Sequence, residues 1–178
     1  MSKTNSLHYQ LCVEGGKWMR CKNKPSTDKY REICKKIKET EKTLLVGRLP
    51  KFKWVAVELV TYGTENCDVW GFDGYYTGVI EVKTSHADFV KDKKKWWRTA
   101  KPEFQAGNMR WFLCPEGIIK PEELYDGWGL LYWDGKQIYP VYPTTIRMQG
   151  CHADIRILNS ILRREKFPEK IYNYRQNA

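Results

Sequence analysis

The sequence predicts a mixed α/β sandwich folded as one domain, and three observations lead there. Short apolar, β-branched runs between residues 53 and 84 are cut by Gly63 and by Asp73-Gly74, the pattern of strands joined by tight turns. Apolar residues recur at helical spacing before, between and after those runs. The chain has 178 residues, enough for one sizeable core, whereas two domains would each be marginal.

Each element follows from local pattern. Leu7, Tyr9, Leu11 and Val13 alternate and lead into Gly15-Gly16, which predicts an N-terminal hairpin continuing through residues 17–22. Pro25, Ser26 and Thr27 open a helix on which Tyr30, Ile33, Cys34, Ile37, Leu44 and Leu45 recur, with Gly47 and Pro50 ending it. Three antiparallel strands follow at 53–62, 67–72 and 76–84. A helix then spans 86 to about 99, with Ser85 as N-cap and Asp88 completing a capping-box variant. Residues 109–114 and 129–133 read as short buried strands. After Pro140 and Pro143 the chain runs to a last helix over 153–166, with Ile155, Leu158, Ile161 and Leu162 as its apolar stripe. The single domain thus divides into a hairpin extension (1–25), a core (54–133) and a C-terminal helical extension (144–178).

Lys and Arg total 31 against 21 Asp and Glu, a net charge of +10 that favours a polyanionic partner through phosphate neutralisation and counterion release. The plain alternative is a basic protein with no such partner. Aromatic residues reach a high 14%, with some rings expected in the core and a binding surface as a candidate place for others. No apolar run approaches a membrane span and the first 25 residues do not form a signal peptide, so a cytoplasmic protein with no membrane partner is expected. The cysteines at 12, 21, 34, 67, 114 and 151 are scattered and expected as thiols. His8 with Cys12, Cys21 and Cys34 offers four zinc-type ligands, but their spacing matches no usual zinc pattern.

The chemistry concentrates between Asp68 and Asp92. On a strand, Glu81 and Lys83 share one face while Ile80 and Val82 share the other. A turn centred near Gly74-Tyr75 would set Asp68 opposite Glu81, whereas a slip of one residue would put them on opposite faces, and a turn near Gly63 would set Glu58 opposite Asp68. Three carboxylates and a lysine then converge from three adjacent strands, with the Val82 carbonyl beside them. Such an oxygen-rich set suits Mg²⁺ or Mn²⁺, and Lys83 suits a developing phosphate charge. Alone, Glu-x-Lys on a strand is more often a solvated ion pair, and Asp73 beside Gly74 reads as a turn residue. Lys91, Lys94, Lys95 and Arg98 on the following helix are candidate phosphate contacts, or simply its solvated face. Asp88 and Asp92 read as structural, one a cap and the other a partner for Lys91 or Lys95. Arg156, Arg163, Arg164 and Lys166 make a second candidate phosphate-contacting face.

Asp68, the hairpin to Glu81-Val82-Lys83 and the helix after it resemble the PD-(D/E)XK, or restriction-endonuclease-like, nucleases. Residues 81–96 (Glu-Val-Lys-Thr-Ser-His-Ala-Asp-Phe-Val-Lys-Asp-Lys-Lys-Lys-Trp) are similar to small bacterial MmcB-like DNA-repair proteins. The similarity extends to residues 112–117 and 129–131. It implies a restriction-endonuclease-like mixed sheet flanked by helices and Mg²⁺-dependent hydrolysis of DNA, RNA remaining open as a substrate. The setting would be DNA repair or the processing of mobile-element or phage DNA. Asp68 and Glu81 would be metal ligands with the Val82 carbonyl, Lys83 the catalytic lysine and Glu58 the accessory acid, with Glu32 or Glu39 as alternatives. Asn66-Cys67 stands where the branch has an Arg-Ala-like pair, and one extra Lys lies between Asp92 and Trp96. A non-catalytic nucleic-acid-binding module of the same fold is the competing expectation, and a partner-binding subunit the third.

Overall fold

A computed structural model describes residues 6–41, 46–95, 104–147 and 152–166. Its frame is a six-stranded mixed sheet flanked by helices, an α/β fold in one domain. Strands β1 (Trp54–Val57), β2 (Val69–Phe72), β3 (Thr77–Val82), β4 (Met109–Pro115), β5 (Gly129–Trp133) and β6 (Ile138–Tyr142) lie side by side in chain order. The first three are antiparallel, β3–β4 and β4–β5 are parallel, and β6 returns antiparallel. Helices α1 (Leu7–Arg20), α2 (Asp28–Glu41), α3 (His86–Asp92) and α4 (His152–Arg164), with a short 3-10 turn at Pro121–Glu123 between β4 and β5, complete the described elements.

The N-terminal segment departs from the expected hairpin. Residues 7–20 form α1, capped by Ser6, whose Oγ accepts from the Tyr9 N–H. Leu11, Cys12, Gly15, Gly16 and Met19 are buried at helical spacing, so α1 belongs to the core and is no extension. Gly15 and Gly16 imitate a turn in sequence, yet in space they let the helix approach the sheet. A Cβ at Gly15 would sit 3.3 Å from Leu113 and 3.4 Å from Val69, and one at Gly16 would sit 3.0 Å from Val57. Under α1 lie Val69, Ile80, Val82, Met109, Trp111 and Leu113, one face of the sheet. Lys24 then ties the end of α1 to the next segment, its Nζ donating to the carbonyls of Met19, Cys21 and Pro50.

The opposite face carries α3 and α4. Phe89 of α3 packs on Phe112, Cys114 and Leu130, while Ala153 and Ile157 of α4 pack on Trp70 and Val79. Two buried polar links fix α4 and the loop beneath it. The Trp70 indole N–H donates to Asp154 at 2.7 Å, and Arg110 holds both Glu65 oxygens at 2.7 Å. Burial raises the Asp154 pKa against the opposing pull of those donors.

The strand expectations run longer than the strands: 53–62 shortens to β1, 67–72 to β2 and 76–84 to β3. The expected passage from Pro140 to the last helix instead contains β6. Pro140 is tolerated there because β6 is an edge strand, with a register irregularity opposite at Leu130/Leu131. The helix expected from 86 to about 99 ends at Asp92, with residues 93–95 leaving it in a turn, while Leu44, Leu45, Trp96, Trp97 and Arg98 lie outside the described residues.

Gly15→Leu would drive a side chain into Leu113, Val69 and Ile80. It is expected to cost about 1–3 kcal/mol in chemical denaturation. A hairpin at 7–22 would accept the change with little loss.

Candidate active site

The β2–β3 hairpin decides where the carboxylates go. Asp73 Oδ1 accepts from the N–H groups of Tyr75 and Tyr76, both at 2.7 Å, which closes the turn. The ladder pairs Val69 with Ile80, so the next step sets Asp68 opposite Glu81, the register the sequence predicts. Likewise β1 pairs Val57 with Val69, and the Glu58 N–H donates to the Asp68 carbonyl at 2.8 Å. Asp68 Oδ2 then accepts from the Val82 N–H at 2.7 Å, tying the end of β2 to the end of β3. The Lys83 N–H points the other way, to the Leu113 carbonyl of β4. Polar groups of successive strand residues alternate in direction, so the Val82 carbonyl points to the Asp68 side.

Glu81 and Lys83 share a face, as expected, but that face is covered by α3 and its following turn. They are 2% and 3% exposed, and Asp92 of α3 is 1% exposed beside them. Lys83 Nζ lies 3.2 Å from Asp92 Oδ1 and 3.6 Å from Glu81 Oε2. Lys95 Nζ reaches Asp92 Oδ1 at 2.6 Å and Glu81 Oε2 at 3.5 Å. Tyr125 adds its hydroxyl, which donates to Asp92 Oδ2 at 3.3 Å. Two carboxylates and two ammonium groups thus balance in a largely dry setting. Asp92 is structural, as expected, though through Lys83 as well as Lys95. Lys95 folds inward to the rim of this cluster, away from the free helix surface where a phosphate contact was expected. Lys91 and Lys94 are exposed.

Beyond this balanced group lies an acidic rim with one basic neighbour the sequence does not associate with it. His8, from the first turn of α1, sets Nε2 3.5 Å from Asp68 Oδ1 and Nδ1 3.6 Å from Glu58 Oε1. The hydrogen bond to Asp68 raises the His8 pKa, burial lowers it, and the charges of Asp68 and Glu58 raise it further. Cys12, one turn on, lies 3.5 Å from His8 Nδ1, and burial with the nearby carboxylates pushes its thiol well up. Ligand atoms of His8, Cys12 and Asp68 lie within 4.8 Å of one another, the metal-type grouping found among the described residues. Cys21 is exposed and Cys34 is buried on α2, so the cysteines considered for zinc do not assemble. The sequence offers His8 with Cys12 as metal-type ligands but gives no sign of Asp68 beside them; that signal needs the three-dimensional path of α1.

Glu58 itself is in the left-handed region at φ +48°, unusual for a residue with a Cβ. That twist ends β1 and turns the carboxylate toward His8. The alternative accessory acids are elsewhere: Glu32 pairs with Lys36 on the exposed face of α2, and Glu39 is exposed on the same helix.

The side chains whose ligand atoms come together here are those of His8, Cys12 and Asp68, with Glu58 beside His8, while Glu81 is engaged by Lys83 and Lys95. Because Glu81 and Asp92 are balanced by Lys83 and Lys95, the surplus negative charge belongs to Asp68 and Glu58.

No family model matches the chain, and no curated protein matches it. Among solved structures, a protein of unknown function from Silicibacter pomeroyi is similar at 21% identity with a TM-score of 0.47. The similarity covers 67% of this chain and 84% of that one. Among the described residues, no helix is long and apolar enough to cross a membrane.

Asp92→Ala leaves Lys83 buried without its nearest carboxylate, and breaking such a pair from one side costs about 3–5 kcal/mol. Chemical denaturation measures the loss; a change below about 1 kcal/mol would mean the cluster is effectively solvated. Glu58→Gly is expected to raise stability by about 1 kcal/mol by relieving the left-handed backbone. A lower denaturation midpoint would show that the Glu58 side chain contributes more than its backbone costs.

Proposed function

We propose that the chain is a metal-dependent deoxyribonuclease that hydrolyses phosphodiester bonds with a PD-(D/E)XK arrangement. The observation that supports this most is the strand register that sets Asp68 opposite Glu81, with Lys83 beside Glu81 and a part-exposed acidic rim next to them. Asp68, Glu81 and the Val82 carbonyl would hold Mg²⁺ or Mn²⁺. The chemistry such an ion supplies is polarisation of a phosphoryl oxygen and a lowered pKa for bound water. Asp68 is oriented for that role by the Val82 N–H. Lys83, fixed between Glu81 and Asp92, places a positive charge where charge grows on the phosphate. Lys95, less buried, is the ammonium a phosphate meets first. His8 stands at the rim, able to take or return a proton beside Asp68. The net charge of +10 suits a nucleic-acid substrate, and a role in DNA repair or in mobile-element or phage DNA processing fits that chemistry.

A second reading has its own observation. The near-complete burial of Glu81, Lys83 and Asp92 suits a non-catalytic nucleic-acid-binding module in which this cluster only holds α3 on the sheet.

Labelled single-stranded DNA, duplex DNA and RNA, each with Mg²⁺, Mn²⁺ or EDTA, separate the two. DNA cutting that needs the ion and falls roughly 10²-fold or more in Asp68→Asn and Lys83→Met supports the nuclease. Circular dichroism of both variants confirms that they fold. Silence of the wild type on all three substrates, or cutting that survives EDTA, overturns it.

A further inference from the structure

The loop between β1 and β2 leaves the sheet at Glu58 and returns at Asp68, and between those points it forms one wall of a cleft of about 730 Å³. The other wall is α4. Arg156, Asn159, Ser160, Arg163 and Arg164 fall on one side of that helix at three- and four-residue spacing. Among the described residues, no acidic residue lines the cleft and none of its three arginines forms an ion pair. Concentrated positive charge without internal carboxylates is an unbalanced field that an anionic ligand satisfies.

The cleft is also built. Arg164 donates to the Val60 carbonyl at 2.8 Å and to Ser160 Oγ at 2.6 Å, which clamps the loop to the helix. The Arg156 guanidinium lies against Gly63, where an added Cβ would meet its Nη1 at 2.9 Å. Farther along, Asn66 Oδ1 accepts from the Thr61 N–H at 2.9 Å, and the buried Glu65–Arg110 pair fixes the loop's base. On this held frame Tyr62 projects its ring into solvent, 96% exposed, with Val60 beside it at 65%. An apolar ring left out on an ordered loop beside arginines is the combination that stacks an unpaired base while its phosphates are neutralised. A duplex, whose bases already stack on one another, has no use for it.

We infer that this cleft binds a single strand of nucleic acid, with phosphates on Arg156 and Arg163 and a base on Tyr62. Taken as the approach to a cleavage centre, it rests on the nuclease reading and narrows the substrate to strands with unpaired bases. The continuity is physical: Val60 follows Glu58 by two positions, so their Cα atoms lie within about 7 Å. Arg164 positions the loop, and Tyr62, Arg156 and Arg163 meet the ligand.

Fluorescence anisotropy with a labelled oligothymidylate in EDTA tests binding apart from any cutting. Tyr62→Ala, at a solvent-exposed position, is expected to weaken binding roughly 5- to 150-fold, the range for losing one stacked base. The Arg156→Gln, Arg163→Gln double variant is expected to flatten the slope of log affinity against log salt by about 1.4, two contacts on a single strand. Unchanged affinity and slope in both variants would overturn the inference. So would tighter binding of duplex than of single strand, or binding of polyglutamate with equal affinity and no dependence on Tyr62. Loss of binding in these variants, found in a protein that cuts no DNA, would keep the cleft and remove the nuclease. Cutting of DNA that is indifferent to the variants would keep the nuclease and remove the cleft.

Discussion

A single hydrogen bond, from the Val82 N–H to Asp68 Oδ2, marks the constraint on which the rest of this structure depends. It is the first contact beyond the β2–β3 ladder, and it exists only in one register. Sliding β2 by one residue along β3 would turn Trp70 away from α4 and part Asp68 from the Val82 N–H, exchanging every side chain between faces. The Trp70–Asp154 bond that seats α4 would go with it. The placement of the carboxylates and the placement of the last helix are therefore two results of one alignment.

The same alignment explains why charges gather under α3 without collapsing the fold. Burying ions is costly unless each meets an opposite charge and spare hydrogen-bond capacity is used. Glu81 and Asp92 meet Lys83 and Lys95, and Tyr125 takes a remaining Asp92 oxygen. Lys83 also rides near the face of Phe112, with Nζ 5.9 Å from the ring centre. Asp68 and Glu58 stand outside that balance, next to His8. The cluster is thus asymmetric, neutral in its depth and negative at its rim.

What could be read from the sequence follows from the distance over which information had to travel. Asp68 opposite Glu81 was legible because Asp73-Gly74 is a short, well-marked turn and pairing propagates from it one residue at a time. Glu58 followed by the same counting, although its left-handed backbone did not. His8 was not legible beside Asp68: the two meet through the packing of a helix on the opposite face of the sheet, and no local pattern encodes that. Asp92 offered a sufficient local partner in Lys95, which hid its contact with Lys83. Gly15-Gly16 misled because glycine serves tight turns and close helix approach equally well, and only the buried positions around it distinguish them. In β6, Pro140 weakened a strand signal that an edge position can absorb.

Pro140 and the left-handed Glu58 share one further effect, because they sit on the two outer strands of the sheet. An outer strand exposes a row of unused backbone donors and acceptors, a template on which another chain can crystallise its own strand. On β6 one donor in that row is missing, since proline has no N–H. On β1 the row is only four residues long and breaks where the backbone reverses its twist at Glu58. The sheet is terminated at both margins by the geometry of its own chain, which disfavours growth by strand addition and leaves the molecule finite.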